Sequence, residues 1–71
     1  MQTLTYILSS EYIELIKLIK FMGLAGSGSH AKFLVEEGEV KLNGKQEFRK
    51  RAKLRNGDVV EVPGRRIVIS G

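Results

Sequence analysis

The dipeptide Asn43-Gly44 fixes the layout of the middle of this chain. Asn followed by Gly is typical of a two-residue β-hairpin turn, because both positions of a type I′ turn require positive φ angles that these residues tolerate. The preceding residues 39–42 alternate polar and apolar side chains, which predicts a strand with its apolar residues inward and Lys41 on the outer face. Residues 45–54 are therefore predicted to return beside this strand.

A first helix is predicted over residues 11–22. Its start is marked by the hydroxyl and acidic side chains of residues 9–11, which suit a helix N-terminus, and its end by Gly23. Lys17 and Lys20 are three residues apart, so they share one side of the helix. The buried side is defined by apolar residues at helical spacing: Tyr12, Leu15, Ile19 and Met22.

A second helix is predicted from Ser27 to the residue before Gly38. The Ser27 hydroxyl is expected to cap the helix by accepting a hydrogen bond from the backbone N–H of Ser29 or His30. Residues 23–28 are rich in glycine and are interpreted as a connector; a nucleotide cradle is the alternative, although the spacing of a P-loop is missing. Because helix N-termini attract anions, the start of this helix is a candidate phosphate site.

Three further strands complete the expected fold. Residues 3–8 alternate and favour an edge strand, and residues 59–62 and 65–70 alternate on either side of a turn at 63–64. The predicted class is α+β. We expect one small domain over residues 1–71, with two N-terminal helices packed on a short, mostly antiparallel β-sheet.

The composition excludes several kinds of site. The 71 residues include no cysteine and one histidine, His30, so they supply no disulfide framework, thiolate metal site or multi-histidine cluster. We therefore expect a protein that is not an enzyme and has no cofactor, metal or small-molecule substrate. No apolar run approaches the ~18 residues of a membrane span, and residues 3–8 are too short for a signal peptide, so a cytoplasmic protein is expected.

The positive charge is concentrated in one segment. The formal net charge is +4, yet residues 41–55 alone hold seven lysines and arginines against one glutamate. Such clustering is the electrostatic pattern of a protein that binds a polyanion. A solvated, lysine-rich loop is the alternative interpretation.

The candidate phosphate contacts follow from this charge and from the start of the second helix. Arginine can grip a phosphate through two N–H groups, whereas lysine acts as a compact charge. His30 is either a solvent-facing residue of the helix start or a contact. The candidates are Lys32, Lys41, Arg49, Lys50, Arg51, Lys53 and Arg55, with Ser27, Ser29 and His30 at the helix start.

Several of these segments together resemble a known family. The residues that carry the resemblance are Gly23-Leu24, Ser27, Ala31-Lys32, Leu34-Val35, Gly38, Val40-Lys41-Leu42-Asn43-Gly44 and Gly57-Asp58-Val59-Val60. They are similar to the S-four-like RNA-binding domain, or alpha-L motif, first described in a small-subunit ribosomal protein, and the match covers residues 11–62. The flanking sequence resembles the short stand-alone bacterial members of the YaaA/YbcJ type.

The resemblance implies a non-catalytic RNA-binding module. In the wider family the contact surface runs over the two helices and the start of the hairpin. One departure is Gly28, where many members have an arginine, and this shifts the expected contacts toward Lys32 and residues 49–55. The residues at the corresponding contact positions are Lys20, Ser27, Ser29, Lys32, Lys41 and Asn43.

The aromatic residues bear on the kind of RNA. Most are assigned to the core, and Phe48 and Leu54 are the expected apolar anchors of the return segment. Core aromatics leave no stacking platform for single-stranded bases, so recognition of folded ribosomal or transfer RNA by shape and backbone is expected, with the ribosome or its assembly intermediates as candidate partners. The aromatic residues are Tyr6, Tyr12, Phe21, Phe33 and Phe48.

Two other functions remain open at this point. A β-grasp sulfur carrier could also combine a hairpin, a helix and a Gly-Asp-Val-Val segment, but it would present a C-terminal Gly-Gly, whereas this sequence ends in Ser70-Gly71. That alternative also leaves the basic segment unexplained. A protein-interaction adaptor could instead use exposed strand edges at residues 3–8 or 65–70 for strand addition.

Overall fold

The computed structural model describes residues 2–71 of the chain. Within that range neither of the two helices has the length and apolar character needed to cross a membrane. In chain order the elements are β1 (Gln2–Ile7), β2 (Ile13–Glu14), α1 (Leu15–Phe21), α2 (Gly28–Glu36), β3 (Lys41–Leu42), β4 (Lys45–Gln46), β5 (Lys53–Leu54), β6 (Val59–Val62) and β7 (Arg65–Ser70).

Five of the strands form the main sheet, in the order β1-β7-β6-β3-β4. β1 runs parallel to β7, and the other three pairings are antiparallel. The remaining strands, β2 and β5, pair antiparallel in a separate small sheet. The predicted α+β class with a mostly antiparallel sheet is confirmed, and β1 lies at the sheet edge as expected.

The core lies between the two helices and one face of the main sheet. Alternation along β6 and β7 sends one set of side chains toward the helices and the other set to the opposite, outer face of the sheet. Burial of each large apolar side chain contributes about 1.5–3 kcal/mol, so this cluster supplies much of the stability of so small a fold. The buried residues are Leu15, Leu18, Ile19, Ala31, Val35, Val40, Ala52, Leu54, Val60, Val62, Ile67 and Ile69.

The predicted cap and turns around α2 and the hairpin are confirmed. Ser27 is the N-cap of α2, and its hydroxyl accepts a hydrogen bond of 3.1 Å from the His30 N–H. Gly38 follows the helix with φ of 75°, and Asn43 and Gly44 have φ of 52° and 86°. These left-handed angles explain why glycine and asparagine stand at these positions.

The predicted start of α1 is wrong by four residues. The helix begins at Leu15 instead of Glu11, and its N-cap, Glu14, makes no side-chain capping bond. Instead, the N–H groups of Leu15 and Ile16 donate to the carbonyl oxygens of Ala52 and Lys50, each at 2.9 Å. The preceding residues pair with β5 as strand β2, so a distant backbone segment replaces the expected local cap.

The assignment of most aromatic residues to the core is also wrong. Phe21, Phe33 and Phe48 are 73%, 56% and 57% exposed. The return segment is anchored by Ala52 and Leu54, which are buried, and not by Phe48. Phe33 lies on the side of α2 opposite its buried residues, because two residues along a helix correspond to about half a turn.

Candidate nucleic-acid interface

The basic arm, residues 49–55, has a backbone that is held in place at several points. Besides the carbonyl groups that accept from α1, the Ala52 N–H donates to Arg49 O at 3.0 Å, which closes a turn. Ala52 and Leu54 enter the core, and Leu54 pairs with Ile13 of β2. The arm is therefore a fixed segment whose charged side chains are exposed: Arg49, Lys50, Arg51, Lys53 and Arg55.

Arg49 is the one cation of the arm that has an acidic partner among residues 2–71. Its Nη2 and Nε donate to the two carboxylate oxygens of Glu47 at 3.0 and 3.1 Å, and its backbone N–H adds a bond of 3.0 Å. Hydrogen bonding from the Arg49 side chain lowers the pKa of Glu47, and the same contact raises the pKa of Arg49. Arg49 is therefore partly neutralised before any ligand arrives.

The other four cations of the arm form no ion pair within the described residues 2–71. Arg51 and Lys53 line one shallow groove with Arg49 and Ala52. Lys53 Nζ and the guanidinium carbon of Arg55 lie 4.9 and 5.6 Å from the centre of the Tyr12 ring. Apart from Arg49, the arm therefore carries positive charge that no ion pair within residues 2–71 compensates, which favours binding of a polyanion.

The Tyr12 ring offsets a local repulsion. Lys53 and Arg55 are two residues apart on an extended segment, which separates their backbones by about 6.7 Å. Two unit charges held at such a separation would repel by roughly 0.6 kcal/mol in water. A cation over an aromatic face contributes about 0.5–1 kcal/mol at an exposed site. The two contacts with the ring are therefore of the right size to hold the two cations side by side.

The start of α2 forms a second group of candidate contacts. The His30 Nδ1 accepts a hydrogen bond of 3.1 Å from the Gly26 N–H, which leaves Nε2 available. Lys20 Nζ lies 3.9 Å from the position that a Cβ would take at Gly28, so the ammonium group of α1 lies beside the first turn of α2. Ser29 is exposed in the same turn.

Lys32 lies one turn further along α2 and is exposed. Its Nζ is 3.9 Å from a carboxylate oxygen of Glu36, which is a long, solvent-exposed ion pair. Such pairs contribute little to stability, so the Lys32 side chain stays free to move to a ligand.

Lys41 and Asn43 lie apart from these two groups. Lys41 is on the outer face of the main sheet, where its register partner on β6 is Glu61. The Asn43 side chain is used internally: its Nδ2 donates to Asp58 Oδ1 at 3.1 Å, and its Oδ1 accepts from the Val59 N–H at 2.9 Å. Asn43 therefore ties the hairpin turn to the loop before β6.

The twelve candidate residues thus fall into three places. The basic arm contacts the first turn of α1, and Lys20 and the start of α2 lie at its last turn, about 7.5 Å further along the helix axis. Lys41 and Asn43 are not part of this arrangement. Two residues of the site were missed: Tyr12, whose helical spacing suggested a core role, and Glu47, the single acid of residues 41–55, whose position two residues before Arg49 was a usable signal.

The fold and the matched residues define the class of protein. The family model of the S4 domain matches residues 6–70, and this chain belongs to that family. Within it, the chain is 38% identical over 58 residues to the Escherichia coli K12 protein named "Putative RNA-binding protein YbcJ", and the match spans 82% of this chain and 83% of that protein.

A solved structure agrees with this assignment. The solution structure of YbcJ from E. coli, described as revealing an αL motif involved in RNA-binding, aligns with a TM-score of 0.70 and 34% identity. The alignment covers 100% of this chain and 89% of that one. The resemblance stated from the sequence is confirmed.

Proposed function

We propose that this chain is a non-catalytic module of the cytoplasm that binds RNA through the basic arm and the start of α2. Membership of the S4 domain family and similarity to a protein named as RNA-binding support this proposal. Within residues 2–71 no cluster of acidic, histidine or cysteine side chains could hold a metal ion, and the charged surface described above needs none to attract phosphate.

One observation carries the proposal. Lys50, Arg51, Lys53 and Arg55 project from a backbone that the core and α1 hold in place, and none of them has an internal ion pair within residues 2–71. Cations arranged in this way can neutralise several phosphates at once with little loss of backbone freedom, because the backbone is already ordered. Phosphate contacts position a nucleic acid without reading its bases, so the arm is suited to recognising the shape of an RNA and not its base sequence.

The proposed ligand is structured RNA, ribosomal or transfer, on the ribosome or on its assembly intermediates. A rigid surface with one cationic group at each end of α1 suits the fixed backbone geometry of a folded RNA. Lys32 and Lys20 would add phosphate contacts beside the arm.

A salt titration tests the electrostatic mechanism. With four phosphates neutralised by the arm, log affinity for a fluorescein-labelled RNA hairpin should fall with log salt at a slope of about −2.8 to −3.6. Fluorescence anisotropy between about 50 and 200 mM salt measures this slope. Binding that does not change with salt would remove the proposal, and a DNA hairpin of the same sequence shows whether the 2′-hydroxyl is recognised.

The exposed phenylalanines provide the test of structured against single-stranded RNA. Stacking of a base on an aromatic ring contributes about 1–3 kcal/mol. If bases stack on these rings, the double variant Phe33→Ala/Phe48→Ala should bind RNA roughly tenfold or more weakly than the native protein. The proposed shape recognition predicts less than about a threefold change and preference for the hairpin over an oligouridine. A large loss, or preference for oligouridine, would reassign the ligand to unpaired RNA.

A further inference from the structure

Tyr12 occupies an unusual place beside the basic arm. It precedes β2, and the register Ile13 to Leu54, continued by one residue, places Tyr12 beside Arg55. Both Lys53 and Arg55 lie over its ring, at 4.9 and 5.6 Å. One uncharged residue therefore contacts two of the four unpaired cations that the arm holds within residues 2–71.

Within residues 2–71, the acidic groups near these cations form no ion pair with them. Glu14 is the register partner of Lys53, yet its carboxylate lies 4.0 Å from Lys17 on α1. Asp58 accepts hydrogen bonds from the backbone N–H of Arg55 and from the side chain of Asn43. The Tyr12 ring is thus the contact that the two side chains share, and an aromatic ring attracts a cation without neutralising its charge.

We infer that Tyr12 is a positioning residue of the RNA site: its ring holds Lys53 and Arg55 side by side, so that they can bind neighbouring phosphates of one RNA strand. This inference rests on the proposed function. Residues two apart in an extended segment project to the same side, so both charges can face one ligand. Without the ring, the two side chains would repel and separate, and RNA would have to bring them together again.

The test uses the ring's electron distribution. Tyr12→Phe keeps the ring and should bind the RNA hairpin as the native protein does. Pentafluorophenylalanine at position 12, introduced by ligation of synthetic segments, keeps a ring of similar shape but reverses the charge of its face. We expect this variant to bind roughly 3- to 10-fold more weakly, and the salt slope to become shallower by about 0.7–0.9 for each phosphate that the two cations no longer neutralise.

The two cations supply the control background. In Lys53→Met/Arg55→Met, which lacks both charges, replacing Tyr12 with the fluorinated residue should have no further effect on affinity. The proton chemical shifts of the Lys53 side chain provide a readout without RNA, since a ring beneath the ammonium group shifts them upfield. Circular dichroism and thermal unfolding show that each variant is folded.

The outcomes separate the inference from the proposed function. The inference is wrong if the fluorinated variant has the same RNA affinity and salt slope as Tyr12→Phe. It is also wrong if the fluorinated residue lowers RNA affinity by the same factor in Lys53→Met/Arg55→Met, because Tyr12 then does not act through the two cations. If instead the native protein shows no salt-dependent binding, the proposed function fails, and the Lys53 chemical shifts still report whether the ring holds the side chain.

Discussion

The basic arm and the outer face of the main sheet both carry several charges, but acids offset the bases to a larger extent on the sheet. Strand register places Lys41 opposite Glu61 and Glu61 opposite Arg66, so bases and an acid alternate across three strands. The Glu61 and Arg66 side chains approach to 4.0 Å. In the arm, Glu47 contacts only Arg49, and Glu14, the register partner of Lys53, lies 4.0 Å from Lys17 instead. Within residues 2–71 the remaining cations of the arm therefore form no ion pair.

This difference follows from the two kinds of backbone. A sheet brings side chains from adjacent strands into pairs, and opposite charges in such pairs stabilise it. The arm has strand partners only at β5, where the two-residue strand β2 faces it, and its other bonds to distant elements go to a helix end. Outside β5 no neighbouring strand supplies side chains that could pair with its charges. Similar residues therefore give a nearly neutral surface in one place and a positive surface in the other.

The largest expected effect concerns the anchor of the arm. Leu54 is fully buried, so Leu54→Ala should lower the free energy of unfolding by about 2–5 kcal/mol, measured by urea denaturation. Val68→Ala on the outer face is the control and should cost less, because Val68 is only partly buried. A Leu54→Ala variant as stable as the native protein would show that the arm is not anchored through Leu54.

A second pair of variants compares the two surfaces directly. Lys50→Ala/Arg51→Ala should weaken binding of the RNA hairpin roughly 30-fold and reduce the salt slope by about 1.4–1.8. Lys41→Ala/Arg66→Ala removes the same charge from the outer face and should change affinity less than about threefold. Similar losses from both pairs would place RNA on the sheet as well, and would support Lys41 as a contact.

Asn43 offers a smaller effect, on stability and not on RNA. Asn43→Ala removes two hydrogen bonds and places alanine, which has no polar side-chain group, at the left-handed φ of 52°. The free energy of unfolding should therefore fall by about 1–2 kcal/mol. Asn43→Gly keeps the turn conformation accessible and isolates the hydrogen bonds. An RNA affinity that falls while thermal stability stays constant would instead make Asn43 a direct contact.

The smallest effect concerns the one neutralised cation of the arm. Because the pKa of Glu47 is lowered in the folded protein, its ionised form contributes stability above the ordinary value of 4.5, and this contribution is lost as pH falls through the lowered value. Glu47→Gln should remove that part of the pH dependence, which is small because water screens an exposed arginine partner. Urea denaturation as a function of pH measures it.

The same variant should change RNA binding in the opposite direction. Glu47→Gln releases Arg49 and removes a negative charge, so binding should tighten and the salt slope should steepen by about 0.7–0.9. Arg49→Ala in the native background should have little effect on RNA binding. Weaker binding of Glu47→Gln would mean that the ion pair itself presents Arg49 to RNA.

Local chemistry was sufficient to predict much of the fold. The Ser27 cap, the helix end at Gly38 and the turn at Asn43-Gly44 depend on residues within a few positions of one another, and all three are present. Alternation along β6 and β7 identified their buried sides correctly. These features need no knowledge of distant partners.

The parts that could not be predicted depend on distant partners. Ser9, Ser10 and Glu11 are suitable for a helix start, but the first N–H groups of α1 instead find carbonyl oxygens of the arm. The exposure of Phe33 and Phe48 has a related cause, since the core is filled by other residues and a small fold has no second layer to cover them.

The candidate site shows the same division. Alternation predicted correctly that Lys41 faces outward, but not that this face is turned away from the helices. The basic run was visible in the composition, whereas its contact with Tyr12 requires the pairing of β2 with β5.

The bonds from Leu15 and Ile16 to the carbonyl oxygens of Ala52 and Lys50 have a thermodynamic consequence. Since the first turn of α1 and the arm complete each other, neither can be ordered alone, and the surface exists in full before a partner arrives. Association should then bury little apolar area and involve no coupled folding, so calorimetry should find only a small change in heat capacity.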